Sequence, residues 1–177
     1  MILSPTAPQI GIQPHASLAR MVNKSGGALA IGDVVITSFN HTSSVYPATT
    51  TAEAYLSPFA CVKKADGNAN ASSGNGAHAN CGILGVVVDL GSYSGADNTE
   101  VVVQIGGVCK ASVNPNTNNA VIGSKLFVSD TAGQFTNEGG STDPDSLAAI
   151  ALETKAHSSA GLIWVVLAGN GEVRNYE

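Results

Sequence analysis

Residues 79–111, ANCGILGVVVDLGSYSGADNTEVVVQIGGVCKA, decide how this chain folds. Two apolar runs rich in β-branched residues, 83–88 and 101–105, are separated by Gly, Ser, Asp and Asn. This pattern is typical of a β-hairpin that is buried on at least one face. We therefore predict a central hairpin here, and we expect a charge placed in its second strand, as in Val102→Asp, to unfold the protein.

The hairpin pattern returns in weaker form at residues 148–152 and 162–167, with a turn at 155–161. We expect Trp164, inside the last apolar run, to belong to the core rather than to a binding platform. A short frame also recurs: Ile31-Gly32-Asp33-Val34, then Ser38, corresponds to Ile122-Gly123-Ser124-Lys125, then Ser129. The chain is therefore predicted to contain two related β units, residues 28–107 and 120–169.

The predicted fold class is all-β, either a small β-barrel or a sandwich, because no segment has a helical stripe of apolar residues. A short helical turn is expected at residues 53–59, ended by Pro58. The β domain is expected to span residues 19–177. Within it, residues 63–80, KKADGNANASSGNGAHAN, have nothing to bury and are predicted to form a mobile surface loop that folding does not require.

Residues 1–18 are predicted to form an extended N-terminal arm, because three prolines block both a helix and a central strand there. A disordered terminus is the other interpretation. The arm cannot bury its own apolar side chains, so we expect it to become ordered on a neighbouring subunit. The residues expected to make that contact with a capsid are Ile2, Leu3, Ile10 and Ile12.

The composition is unusually neutral for a chain of 177 residues, since only 12% of them are charged. An ordinary soluble domain has roughly 25%. Charge keeps free monomers apart, and a surface with so few charges is therefore expected to lie against a partner. The net charge of −5 argues against nucleic-acid binding. The apolar runs are too short to span a membrane, and Met1 is not followed by a signal-peptide pattern. Three cysteines without a CxxC pair fit synthesis in a reducing cytoplasm.

The sequence contains no recognisable catalytic constellation, so we predict that the protein is not an enzyme and needs no cofactor. The four histidines, His15, His41, His78 and His157, all lie in segments expected to be arm, loop or turn. No G-x-S-x-G elbow precedes a helix. His78 and Cys81 are close enough to share a metal ion, but no second ligand pair accompanies them. Cys61 and Cys81 border the predicted loop and could pair, although buried thiols are the preferred interpretation.

Six motifs follow one another along the chain: NKSGGALAIGDVV (23–35), GILGVVVD (82–89), VVVQIGGVCKA (101–111), IGSKLFVS (122–129), AAIALE (148–153) and LIWVVL (162–167). This series resembles the small all-β capsid decoration, or cement, proteins of tailed bacteriophages. The similarity covers residues 21–167. The chain departs from the family pattern at Gly123-Ser124, where Gly-Asp is expected, and in the length of residues 63–80.

The resemblance implies a virion structural protein on the capsid exterior, made in the host cytoplasm. Such a protein binds the outer surface of the assembled major capsid protein and clamps neighbouring capsomers, and it is expected to be a homo-oligomer such as a trimer. Repetition over a symmetric shell multiplies modest contacts. The alternatives are a fibre-type or receptor-binding virion module, and a cytoplasmic enzyme.

Overall fold

The computed structural model describes residues 16–37, 61–65, 84–137 and 148–167. These ranges form nine β-strands and one 3₁₀ turn, with no α-helix among them, so the all-β prediction is confirmed. The elements are β1 (Ser17–Asn23), β2 (Val34–Thr37), β3 (Cys61–Lys64), β4 (Leu84–Asp89), the 3₁₀ turn (Gly91–Tyr93), β5 (Glu100–Val113), β6 (Lys125–Val128), β7 (Phe135–Thr136), β8 (Ala149–Ala151) and β9 (Gly161–Leu167).

Strands β1 to β5 close into a five-stranded mixed barrel. Its strands pair in the order β1-β3-β2-β4-β5, and β5 pairs back to β1. Only the β1–β3 pairing is parallel within this barrel. Side chains alternate between the two faces of a strand, and the inward positions are apolar. The interior is filled by Met21, Val35, Val62, Val87, Val101 and Val103.

Strands β5 to β9 repeat the same order of pairing. The order is β5-β7-β6-β8-β9, β9 pairs back to β5, and the β5–β7 pairing is again the parallel one. The 14-residue β5 is shared, because its first half closes the barrel and its second half opens the repeat. We call β1 to the first half of β5 the first unit, and the second half of β5 to β9 the second unit. Both units therefore begin earlier in the chain than residues 28 and 120, the starts that the sequence predicts.

The recurring sequence frame forms the same turn in both units. Gly32 and Gly123 adopt left-handed backbone conformations, with φ of +89° and +86°. The glycine amides donate to equivalent strands at 2.8 Å, Gly32 to Val87 O and Gly123 to Ala151 O. The polar residue after each glycine accepts from the first amide of its turn: Ala30 N to Asp33 Oδ2 at 2.8 Å, and Val121 N to Ser124 Oγ at 2.9 Å. The frame is thus a structural repeat down to its hydrogen bonds.

The two units are joined by backbone hydrogen bonds as well as by β5. Ser112 N donates to Gly32 O at 2.8 Å, and Val34 N donates to Gly133 O at 2.9 Å. Side chains on the outside of the barrel, such as Val34 and Val86, are buried in the same apolar cluster as the core of the second unit. The second unit therefore covers one outer face of the first.

Gln104 stabilises the point at which β5 passes from one unit to the other. Its side chain is 5% exposed, and its Nε2 donates to Gly106 O and Val108 O, both at 2.9 Å. Gly107, between these two acceptors, has φ of +84°, which favours glycine. A buried amide thus satisfies two carbonyl groups where the regular ladder changes partners.

Three sequence predictions change in detail. Strand β1 begins at Ser17, inside the range predicted as arm, where Ser17 pairs with Gly106. Lys63 and Lys64 lie in β3 rather than in the predicted loop, because they pair with β2. Val102 is only half-buried, so the expectation that Val102→Asp unfolds the protein is wrong about which valines point inward. The remaining predicted arm (1–15), the helical turn (53–59) and loop residues 66–80 lie outside the described residues.

Candidate functional site

The part of the chain that the structure describes offers no site for a metal ion. The described ranges contain no group of three His, Cys, Asp or Glu side chains that could hold one. His157 is exposed, and its Nδ1 lies 2.9 Å from Asn119 Oδ1, an arrangement that joins two surface turns. The other three histidines and Cys81 lie outside the described residues, as do Ile2, Leu3, Ile10 and Ile12.

Cys109 lies in the core of the second unit, where its thiol has low reactivity. Its side chain is 3% exposed among apolar neighbours. Burial raises the pKa of the Cys109 thiol from 9.0 to about 11, because a thiolate loses its hydration there. The thiolate is the reactive form, so Cys109 is unsuited to nucleophilic chemistry. Cys61 is also buried. The alternative that it pairs with Cys81 involves a residue outside the described ranges.

Native protein at pH 8 is expected to resist labelling of Cys109 by iodoacetamide, whereas denatured protein is labelled readily. Peptide mapping by mass spectrometry before and after denaturation measures this. Because the folded pKa is the higher one, the neutral thiol's contribution to stability is fully present below pH 9 and is lost as the pH rises toward 11. Labelling of the native protein at the rate of the denatured chain would contradict this buried position.

An apolar patch covers the outer side of β9. Leu162 and Trp164 alternate with the buried Ile163 and Val165, and they are 48% and 42% exposed. Leu152, whose amide donates to Trp164 O, is 38% exposed, and Ile31 is 52% exposed. Leu162 Cδ2 lies directly over Gly32, next to Ile31 in the chain. We call Ile31, Leu152, Leu162 and Trp164 the β9 face.

Half-buried apolar residues extend the β9 face along the strand. Val166 pairs with Ile150 on β8 and with Val108 on β5, and all three are partly exposed. Apolar side chains therefore continue across three neighbouring strands on the outside of the second unit. A contiguous apolar surface of this kind on a soluble protein marks a site of interaction.

Two opposite charges flank Trp164. Lys110 lies directly across from Trp164 on β5, and its Nζ is 5.3 Å from the centroid of the indole ring, a cation–π contact. On the other side, Glu153 Oε2 accepts a hydrogen bond from Trp164 N at 3.0 Å. The tryptophan is thus held in place on the surface, with a positive group toward β5 and a negative group toward β8.

Comparison with the first unit shows which residues of the β9 face the fold itself requires. Strand pairing gives the counterparts in the first unit: Val102 for Trp164, Glu100 for Leu162 and Arg20 for Lys110. There Arg20 Nη1 and Glu100 Oε1 form an exposed ion pair at 2.8 Å. The position of Leu162 therefore holds a charged residue in the first unit, whereas Trp164 replaces a smaller apolar residue, Val102. The fold does not require a large apolar side chain at either position.

The exposure of Trp164 overturns the expectation that it belongs to the core. The run LIWVVL is apolar at every position, so the sequence contains no alternation that would show which residues point outward. The presence of a large aromatic residue in an otherwise aliphatic strand is the one signal that could have marked it, since tryptophan is common at binding surfaces.

Comparison of the sequence with protein-family models gives no match, and neither does comparison with curated proteins. Within the described ranges there is no helix long and apolar enough to cross a membrane. The function must therefore be argued from the geometry of the β9 face and from the motifs of the sequence.

Proposed function

We propose that the chain is a structural virion protein that binds the outer surface of an assembled bacteriophage capsid and stabilises neighbouring capsomers, without catalysing a reaction. The observation that carries the proposal is the β9 face, an exposed apolar patch that includes Leu162, at a position where the first unit has the charged residue Glu100. The class of virion protein comes from the resemblance to capsid decoration proteins. The major capsid protein is the proposed partner, and the protein is proposed to act as a homo-oligomer.

The β9 face has the physical character of a protein contact. Trp164 is a large, rigid side chain whose burial gains much apolar area for little lost conformational entropy. Aromatic residues of this kind dominate the binding energy of many interfaces. The paired strands β5, β8 and β9 that form it are a preformed support, and rigidity reduces the entropic cost of binding. These features favour a passive binding role.

The N-terminal arm is proposed to add a second contact through Ile2, Leu3, Ile10 and Ile12. The chain enters β1 at Ser17, opposite Gly106, so the arm joins the body where the two units meet. Two separate contacts on one body increase the overall affinity through effective concentration. A chain that begins at Ala16 keeps all of β1, and it is the truncation with which the arm should be tested.

Particles that lack this protein are expected to release their DNA at a lower temperature than complete particles. The reason is that binding across capsomers stabilises the assembled shell relative to the opened one. Heating both particles with a DNA-binding dye measures the release, and adding purified protein to bare particles should restore the original temperature. The chain that begins at Ala16 should restore it only at higher protein concentration.

Equal heat stability of bare and complete particles would show that the capsid-stabilising role is wrong. Loss of attachment to host cells with unchanged heat stability would instead favour a receptor-binding module. Full restoration by the shortened chain at the same concentration would remove the arm from the proposal and leave the capsid role standing.

A further inference from the structure

We propose that a second copy of this chain docks on the β9 face, so that the protein pairs about a two-fold axis with Trp164 against Trp164. The inference rests on the proposed function only in treating the β9 face as a protein-binding surface. It assigns that surface to a contact between neighbouring copies on the shell, and the contact with the major capsid protein then falls to the N-terminal arm.

The placement of charge around Trp164 is what points to a second copy. Lys110 lies on the β5 side of Trp164 and Glu153 on the β8 side. A two-fold axis parallel to β9 exchanges these two sides of a facing copy. Trp164 then meets its own counterpart, and each Lys110 faces the Glu153 of the other copy. The same patch complements itself, which is the requirement for an isologous contact.

Local charge also favours this occupant over a strongly charged one. The whole chain carries a net charge of −5, so two copies repel each other through most of their surfaces. The described charged side chains around the β9 face are Lys110 and Glu153 beside Trp164, and Lys125 beside Ile150, so this surface carries none of the chain's net negative charge. Copies can therefore approach through this face with the least repulsion. Opposite charges across an interface fix orientation more than they raise affinity.

The size of the patch sets the expected strength. A stable interface buries about 800 Å² on each partner, which four exposed side chains and their half-buried border approach only in part. Pairing is therefore expected to depend on protein concentration in free solution. On a shell, where copies are held close together, the same contact becomes effective through high local concentration.

The first unit supplies a substitution set that removes the patch, and because Leu162 also covers Gly32, the folding of this variant is checked separately. Leu162→Glu together with Trp164→Val places on β9 the residues that the first unit has at Glu100 and Val102. Lys110 can then pair with the new carboxylate as Arg20 pairs with Glu100. The matched control is Val102→Ser, which changes the corresponding position in the first unit and leaves the β9 face intact.

Sedimentation equilibrium of the purified full chain over a range of concentrations tests the proposal. We expect a monomer–dimer equilibrium for the wild type and for Val102→Ser. For the double variant L162E/W164V, we expect the dissociation constant of the dimer to rise about tenfold or more. Lys110→Glu alone and Glu153→Lys alone should each weaken the dimer, and the two together should restore it. Far-UV circular dichroism checks that every variant is folded.

Three results would overturn the proposal: a wild type that is monomeric at all concentrations, a wild type that forms only trimers, or a double charge exchange that fails to restore pairing. A monomeric wild type whose L162E/W164V variant no longer binds capsids would assign the β9 face to the shell instead. If the wild type forms dimers but does not raise the heat stability of bare particles, the capsid role is wrong and the dimer stands. The two proposals can therefore fail separately.

Discussion

Val103→Asp is expected to leave the chain unfolded or aggregated at room temperature, whereas Val102→Asp, one residue earlier, leaves it folded. Val103 is 1% exposed inside the barrel, in the apolar cluster that contains Met21 and Val87. No described basic residue belongs to that cluster, so a carboxylate there has no counter-charge. Burying an unpaired charge costs several kcal/mol or more, which is comparable with a total stability of about 5–15 kcal/mol.

Val102 provides the matched control, because it differs from Val103 mainly in direction. It is half-buried on the outside of β5, where its cross-strand partners are Arg20 on β1 and Asp89 on β4. An aspartate there can reach water, and attraction to Arg20 offsets repulsion from Asp89, so we expect a loss of about 1 kcal/mol or less. Far-UV circular dichroism and urea unfolding measure both variants. Equal losses for the two would contradict the register of β5 in the barrel.

The strands that the sequence predicts best are those with β-branched runs bordered by turn residues. The predicted run 83–88 overlaps β4 (Leu84–Asp89), and the run 101–105 lies in the first half of β5, since valine and isoleucine favour extended backbone and the intervening glycines and asparagine favour a turn. The recurring frame was predictable for a similar reason. Gly32 and Gly123 occupy positions of positive φ that other residues adopt only with strain, so the frame appears in the sequence as a repeated glycine.

The sharing of β5 between the units could not be predicted from the sequence. Its 14 residues contain Gly106-Gly107 at the centre, which is also the pattern of a turn that ends a strand. Only the long-range pairings of β5 with β1 and β9 show that the backbone continues through these glycines. Strand β1 was equally hard to predict from the sequence. Its residues, SLARMVN, alternate little between polar and apolar, and the strand forms through its pairing with β5.

The β9 face could not be predicted from the sequence, for a physical reason. Whether Trp164 or Val165 faces water depends on which side of β9 meets the core, and a uniformly apolar run does not encode that choice. Glu100 and Leu162 are recognisable as counterparts only once the strand pairings of both units are known. The resemblance implies a binding role, and the surface that we propose for it was identified by comparing one unit with the other.

Asn23→Val is expected to be the most destabilising change of a polar side chain in the barrel. Asn23 is 0% exposed at the end of β1, and its Nδ2 donates to Gly27 O at 2.7 Å and to Gly95 O at 2.9 Å. Its Oδ1 accepts from Ser25 N at 2.8 Å. One side chain thus connects the loop after β1 to the loop before β5. Valine fills the same volume and leaves these three backbone groups without their partner.

The expected loss is about 3 kcal/mol, since each buried polar group left unsatisfied costs about 1–3 kcal/mol and water can reach the group nearest the surface. Urea unfolding measures it, with Asn116→Ala, an exposed asparagine in the turn after β5, as a control that should change stability by less than about 0.5 kcal/mol. The second unit has Val113 at the position that corresponds to Asn23. Valine is therefore compatible with this strand position, and the loss must come from the loops.

Asn23→Asp tests the two hydrogen bonds that the Asn23 side chain donates separately from the one that it accepts. Aspartate keeps an oxygen for Ser25 N but turns both donations into repulsion between a carboxylate and two carbonyl groups, so it should destabilise at least as strongly at pH 7. If Asn23→Val unfolds at the same urea concentration as the wild type, the two loops are held by other contacts and the role assigned to Asn23 is wrong.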